Sequence, residues 1–275
     1  MKRIVCLLLL VSIGYGAFAV VPGRIITLSA ALTETADALG FSKNIIAVDV
    51  TSIYPAYINK LPKVSNTRAV SAESLIAFTP DLVLAPEGSV SKEIQYQLRS
   101  AGISFVNIKQ EYSVKGALSF IRAVAAALQV PQKGEVLARE TGLKIDRALA
   151  GIKVTGKAPK VLFIYARGTG TMMVAGRKSS LDAIITLAGG KNAVQEFDNF
   201  KPYTTEALIR TNPDMILMFD FGYNSLGGIN SILKMPGVRQ TTAGKNRKIV
   251  QMEASLLVNF SIRLDQAITA LNSKF

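Results

Sequence analysis

The chain has no histidine, no tryptophan and a single cysteine in its 275 residues. Without histidine there is no Ser-His-Asp triad, no His-ligated zinc and no imidazole general base. Most hydrolase and metalloenzyme chemistries are thereby excluded. Cys6 lies inside an apolar N-terminal stretch, so a chain trimmed of that stretch has no disulfide, iron-sulfur ligand or thiol nucleophile. Any metal is left to oxygen or thioether donors. Acids are also in short supply, 19 Asp plus Glu against 32 Lys plus Arg.

The N-terminus reads Lys2 and Arg3, an apolar run from Ile4 to Ile13, and then Ala17-Phe18-Ala19. This is the order of a secretory signal peptide with a small-x-small cleavage site. Gly14 and Gly16 interrupt the run, and a membrane-spanning helix needs about 20 apolar residues. Residues 1–19 are therefore expected to be a signal peptide cleaved after Ala19, which predicts an exported protein. Their removal takes Lys2 and Arg3, leaving 256 residues and lowering the net charge from +13 to +11. A basic balance fits nucleic acid, a membrane surface or an anionic small ligand. The longest basic cluster is only Lys245-Asn246-Arg247-Lys248, with no aromatic-rich basic stripe, which argues against nucleic acid.

Apolar strand-like runs alternate with helical patterns. Arg24 to Leu28, Ile45 to Asp49, Leu82 to Ala85 and Ser104 to Ile108 read as strands, and Ala30 to Leu39 and Glu93 to Ser100 as helices between them. Ala117, Phe120, Ile121, Val124 and Leu128 share one helical face, Pro131 ends that helix, and a second runs from about Gly134 to Ile152. Strands resume at Val161 to Tyr165, Met215 to Phe219 and Lys248 to Met252. The pattern predicts an α/β fold of two lobes with parallel sheets joined by one long helix. The expected divisions are a signal peptide at 1–19, an N-terminal lobe at 20–132, a connecting helix at 133–156 and a C-terminal lobe at 157–275.

An internal repeat supports two halves. Residues 71–84, SAESLIAFTPDLVL, align without gaps on residues 204–217, TTEALIRTNPDMIL, at an offset of 133. Each copy is a capping Ser or Thr, a short helix with Glu in its first turn, a Pro-Asp turn and a buried strand. A first-turn Glu is favoured by the helix dipole, so Glu73 and Glu206 read either as two stabilised helix starts or as matched carboxylates for a shared partner.

The segments RIITLSAALTETADALG, TSIYPAYINKLPKV, TRAVSAE, MMVAGRKSSLDAIITLAGG and KPYTTEALIRTNPDMILM together resemble the periplasmic haem-binding proteins of bacterial ABC haem importers. The likeness spans nearly the whole chain beyond residue 19. Those proteins belong to a wider class, with two α/β lobes and a rigid connecting helix, that also serves ferric siderophores and cobalamin. The resemblance implies a transported ligand, haem, held in the cleft between lobes, and no catalytic cofactor. It also implies an inner-membrane ABC permease as partner, docked through Glu73 and Glu206.

In that family the iron is held by a tyrosinate two residues before an Arg, in a Gly-Tyr-x-Arg pattern. The corresponding segment here is Ser65-Asn66-Thr67-Arg68: Arg68 matches, and Asn66 stands in place of the Tyr. Asparagine is a weak neutral donor and does not replace a phenolate on ferric iron. Other candidate donors are Tyr54, with Tyr57 just after it, and Met172 and Met173, expected in a loop of the opposite lobe, since a thioether also binds haem iron. Each has a plain structural alternative, because methionine is commonly a core filler. Tyr223, in a Gly-rich stretch, is a candidate cleft wall or donor. Arg167, Arg177 and Arg263 are candidates for the propionates.

These readings predict a periplasmic binding protein rather than an enzyme. A ferric siderophore or cobalamin carrier is the alternative within the class. A carboxylate-only glycosidase is the alternative outside it, and needs two acids about 5–10 Å apart across a pocket. Glu73 and Glu206 start helices in separate halves, which disfavours it.

Overall fold

In the computed structural model, residues 21–67, 69–153, 156–166 and 172–275 are described. The expected signal peptide, Arg68 and Arg167 lie outside them.

Two sheets organise the chain. The first is fully parallel, in the order β2-β1-β3-β4, from β1 (Ile25–Thr27), β2 (Ile45–Val48), β3 (Leu82–Pro86) and β4 (Ser104–Ile108). The second has β5 (Lys160–Tyr165), β9 (Met215–Phe219) and β10 (Ile249–Met252) as its parallel centre. The short β7 (Lys191–Asn192) runs parallel to the start of β5. An antiparallel edge is added by β6 (Met173–Ala175) and β8 (Phe200–Pro202). Met173 therefore begins a strand, where the sequence suggested a loop. Every residue of β9 is buried, as expected of a strand covered on both faces.

The helices of the first lobe are α1 (Ala30–Ala36), α2 (Ala72–Ile76) and α3 (Lys92–Ser100). The long pair α4 (Val114–Ala127) and α5 (Pro131–Ala150) follows. The second lobe holds α6 (Ser180–Leu187), α7 (Thr205–Thr211), α8 (Asp220–Ser225), α9 (Ile229–Ile232), α10 (Thr242–Lys245), α11 (Ala254–Val258) and α12 (Leu264–Asn272). Their starts are written locally. Ser29, Ser71, Ser91, Ser113, Ser179, Thr204 and Thr241 each accept a backbone N–H two or three residues into the helix that follows. Pro131 occupies the first turn of α5, where its missing N–H costs nothing; it opens the second helix, and α4 has already ended at Ala127.

α4 and α5 form an antiparallel hairpin, with Gly134 against Ala125 and Gly142 against Leu118. A Cβ at Gly134 would lie 2.2 Å from that of Ala125, so only glycine allows this approach. Both helices span the two cores. Phe120, Val124 and Leu128 of the hairpin region pack with the first sheet's Ile25 and Leu84. Ala117 and Ile145 pack with the second sheet's Phe163 and Leu217.

The internal repeat is a repeat of structure. Asp81 accepts the N–H of Arg24 at 2.9 Å and donates its own to the Arg24 carbonyl at 2.8 Å. Asp214 does the same with Lys160, at 2.7 and 2.8 Å. Thr79 and Asn212, at the matching helix ends, both take left-handed backbone, φ 45° and 44°. Each Pro-Asp turn thus fastens the end of a short helix to the first strand of its sheet.

Candidate functional site

In parallel α/β sheets, ligands bind beyond the carboxyl ends of the strands. Loops from those ends in both lobes meet here. In the first lobe, Thr27, Thr33 and Ser52 form a buried hydroxyl chain at 2.6 and 2.7 Å. Asp49 accepts from Thr51 and Ser52, each hydroxyl at 2.5 Å. This network fixes the loop after β2, which carries Tyr54. The backbone at Lys63 and Val64 then returns beside Val48 and delivers the bend holding Asn66, whose side chain is exposed.

The lobes are joined by a buried ionic cluster. Glu34 of α1 is fully enclosed, and Arg263, at the start of α12, is 7% exposed. The guanidinium grips the Glu34 carboxyl with two prongs, at 2.9 and 2.6 Å. It also donates to Glu253 at 2.9 Å and to the Ser255 hydroxyl at 3.1 Å. Asn259 donates to Glu34 at 3.0 Å, and Gln110 of the first lobe donates to the Asn259 carbonyl at 2.6 Å. Burial pushes the Glu34 carboxyl above the usual range, and the opposing pull of Arg263 does not cancel it. Burial also acts on Glu253, but hydrogen bonds from Arg263 and Ser255 outweigh it and hold that carboxyl low. Burial works against the charge on Arg263, and the two carboxylates prevail and keep it protonated.

The Arg263 guanidinium lies 4.1 Å from the centre of the Tyr54 ring, within cation–π range. Of the residues singled out from the sequence, Tyr54 and Arg263 are thus brought together across the lobes. Tyr54 is still 41% exposed. Tyr57 is committed elsewhere, its hydroxyl donating to the Asp37 carboxylate; burial and that bond push its phenol up.

The second lobe brings an aromatic group to its strand ends. Tyr165, Phe219 and Phe221 sit with ring centres 5.4 to 6.1 Å apart. Met173 pairs with Tyr165 in the sheet and is half-buried. Met172 and Tyr223 both pack against the cluster on the other face of the sheet, around Leu162 and Ile216. Arg177 is about half exposed and paired with Asp198 at 3.1 Å; Lys178 holds the same carboxylate at 2.7 Å. A groove of about 520 Å³ opens between Glu111 and Tyr112 on one side and Arg177, Lys178, Ser179 and Asp182 on the other.

Glu73 and Glu206 are exposed in the first turns of α2 and α7. Each carboxyl is held low, first by its own backbone N–H and then by the capping Ser71 or Thr204 hydroxyl. Sequence reasoning missed Glu34, Glu253, Tyr165 and Phe221. The one local signal was an acid within the otherwise uncharged, fully buried helix AALTETA, since a wholly buried Glu is rare unless paired. No group of three or more acidic or thiol side chains suited to a metal occurs among the described residues, and no helix there is long and apolar enough to cross a membrane.

Comparisons with known proteins agree with this architecture. The solved apo structure of the periplasmic heme-binding protein RhuT from Roseiflexus sp. RS-1 is similar with a TM-score of 0.88 and 35% identity, over 91% of this chain and 97% of that one. The periplasmic heme-binding protein BhuT, solved with two hemes, gives 0.86 and 35% over the same shares. The vitamin B12-binding protein of Vibrio vulnificus (strain CMCP6) is 29% identical over 94% of this chain and 90% of its own length. Residues 25–256 match the periplasmic binding protein family as a whole. With two α/β lobes, an inter-lobe site at the strand ends and a family match over most of its length, the chain belongs to the periplasmic binding protein family.

Proposed function

We propose that this protein captures haem between its lobes in the periplasm and delivers it to an inner-membrane ABC permease. The observation that carries the reading is the likeness to solved haem-binding proteins at 35% identity over 91% of the chain. The site supports it. A flat, largely apolar macrocycle with two carboxylates suits an aromatic wall of Tyr165, Phe219 and Phe221 with basic residues at the rim. Arg68 and Arg177 are the propionate partners in this reading. Tyr54 and Met173 are the candidate side chains on the ligand side, Met172 and Tyr223 packing on the other face of the second sheet. Asn66 occupies the sequence position of the iron-binding Tyr in the family pattern. Arg263 acts indirectly, by holding Glu34 and Tyr54. Glu73 and Glu206 dock the permease, one per lobe. In this reading the ligand is captured and released with its covalent skeleton unchanged.

Titration with hemin tests the reading. Saturable growth of a Soret band with a fixed stoichiometry supports it; a spectrum that stays that of free hemin sinks it. A cobalamin carrier is the second reading, favoured by the Vibrio vulnificus relative and by Asn66 in the place of the iron-binding Tyr. Cyanocobalamin, followed by quenching of tyrosine fluorescence, decides between them.

A further inference from the structure

Each lobe displays a basic and partly apolar surface beside its exposed first-turn Glu. In the first lobe this is the outer face of α3, which packs on α2, the helix of Glu73. Leu98 of α3 is buried and Ile94 half-buried, so the opposite face is free. It carries Lys92, Tyr96 and Arg99, spaced four and three residues apart and therefore on one stripe. Tyr96 is 72% exposed, more than any other large apolar side chain among the described residues. Neither flanking cation has a carboxylate partner there.

In the second lobe the corresponding connection, from β9 to β10, carries a groove of about 520 Å³ lined by Leu233, Lys234, Met235, Pro236, Arg239 and Gln240. It is pinned to α7, the helix of Glu206. A Cβ at Gly237 would lie 2.9 Å from the Thr205 methyl, and φ there is +80°. Lys234 and Arg239 are exposed and likewise lack a carboxylate partner among the described residues. The two connections are equivalent by the internal repeat, since β3 and β9 are its matched strands.

We infer that these two surfaces contact the phosphates of an anionic phospholipid bilayer and hold both lobes against it. Aromatic rings with a polar tip favour the headgroup level, and cations near an anionic surface contribute roughly fivefold each in binding. An acidic protein patch would satisfy the cations but leaves the exposed Tyr96 ring and the Met235–Pro236 wall unexplained. The inference rests on delivery to a membrane permease but not on the identity of the ligand.

The test uses protein purified from the periplasm, floated with phosphatidylcholine vesicles with or without phosphatidylglycerol. Wild type should float only with the anionic vesicles. Lys92→Glu with Arg99→Glu, and separately Lys234→Glu with Arg239→Glu, should each weaken flotation at least about tenfold, and Tyr96→Ala by a smaller factor. The same charge change placed on α5, Lys144→Glu with Arg147→Glu, should leave flotation intact. Equal loss with the α5 pair reduces the effect to net charge and overturns the inference. So does absence of flotation by wild type, or loss of binding by the reversals only on permease proteoliposomes of neutral lipid. Thermal unfolding verifies that the variants fold, and hemin titration of each reports on the ligand independently.

Discussion

Arg263 and Glu34 are 229 positions apart in the chain and meet in a two-pronged contact of 2.6 and 2.9 Å, one from each lobe. Both are almost wholly removed from water. Breaking a buried pair by deleting one partner leaves the other charge uncompensated, at about 3–5 kcal/mol. Glu34→Ala is therefore expected to destabilise the protein by about that amount in urea denaturation. A loss below about 1 kcal/mol would mean that Glu253 alone satisfies Arg263.

The same carboxyl sets a pH dependence of definite sign. Its folded-state value is raised by burial above the roughly 4.3 of an unfolded Glu. Such a group contributes its full stability below the unfolded value and loses it as pH rises through the folded one. The stability difference of wild type over Glu34→Gln should shrink as pH is raised from about 4 toward neutrality. Growth of that difference with pH would show that the guanidinium, and not burial, dominates.

Asn66 should leave one axial face of the iron without a tyrosinate, so the wild-type hemin complex is expected to lack the tyrosinate-to-iron charge-transfer band. Asn66→Tyr should introduce that band, with Arg68 favouring the ionised phenol, and tighten hemin binding about tenfold or more. Resonance Raman spectra of the two complexes check this. A tyrosinate signature already present in wild type would assign the role to another tyrosine, Tyr54 first, since Tyr57 is bonded to Asp37 and Tyr223 packs on the other face of the second sheet.

Glu73 and Glu206 are exposed and held ionised by the first turns of their helices. Reversal of both, Glu73→Arg with Glu206→Arg, should abolish haem-dependent growth while hemin affinity stays within about twofold of wild type. Normal uptake by the double variant would remove both residues from the docking surface.

What was legible in the sequence was what local chemistry writes. Met215–Phe219 is a continuous apolar run buried along its whole length. Ser104–Ile108 is an edge strand with Ser104 and Asn107 exposed that still reads as a strand, and capping residues mark the helix starts. The Pro-Asp repeat was visible as letters; its meaning, Asp81 on Arg24 and Asp214 on Lys160, needed the strands in place. The short antiparallel strands β6 and β8 escaped because three residues are too few to show a period. Glu73 and Glu206 lie in the first turns of α2 and α7, as the capping pattern predicts for helix starts, and Arg177 pairs with Asp198. Arg263 was singled out as a ligand partner, and its engagement with Glu34, Glu253 and Tyr54 could not be read from sequence, because no local pattern encodes a contact between α1 and the start of α12.

The hairpin of α4 and α5 has a mechanical consequence. A lone helix between two bodies bends like a rod, whereas two helices packed side by side resist bending as a beam does, since opening must stretch one and compress the other. Gly134 seated on Ala125 leaves no slack for them to slide. Loading of the cleft should therefore proceed with little change in overall dimensions, so that scattering curves of empty and filled protein nearly superpose and the work of admitting a ligand falls on side chains and loops at the mouth.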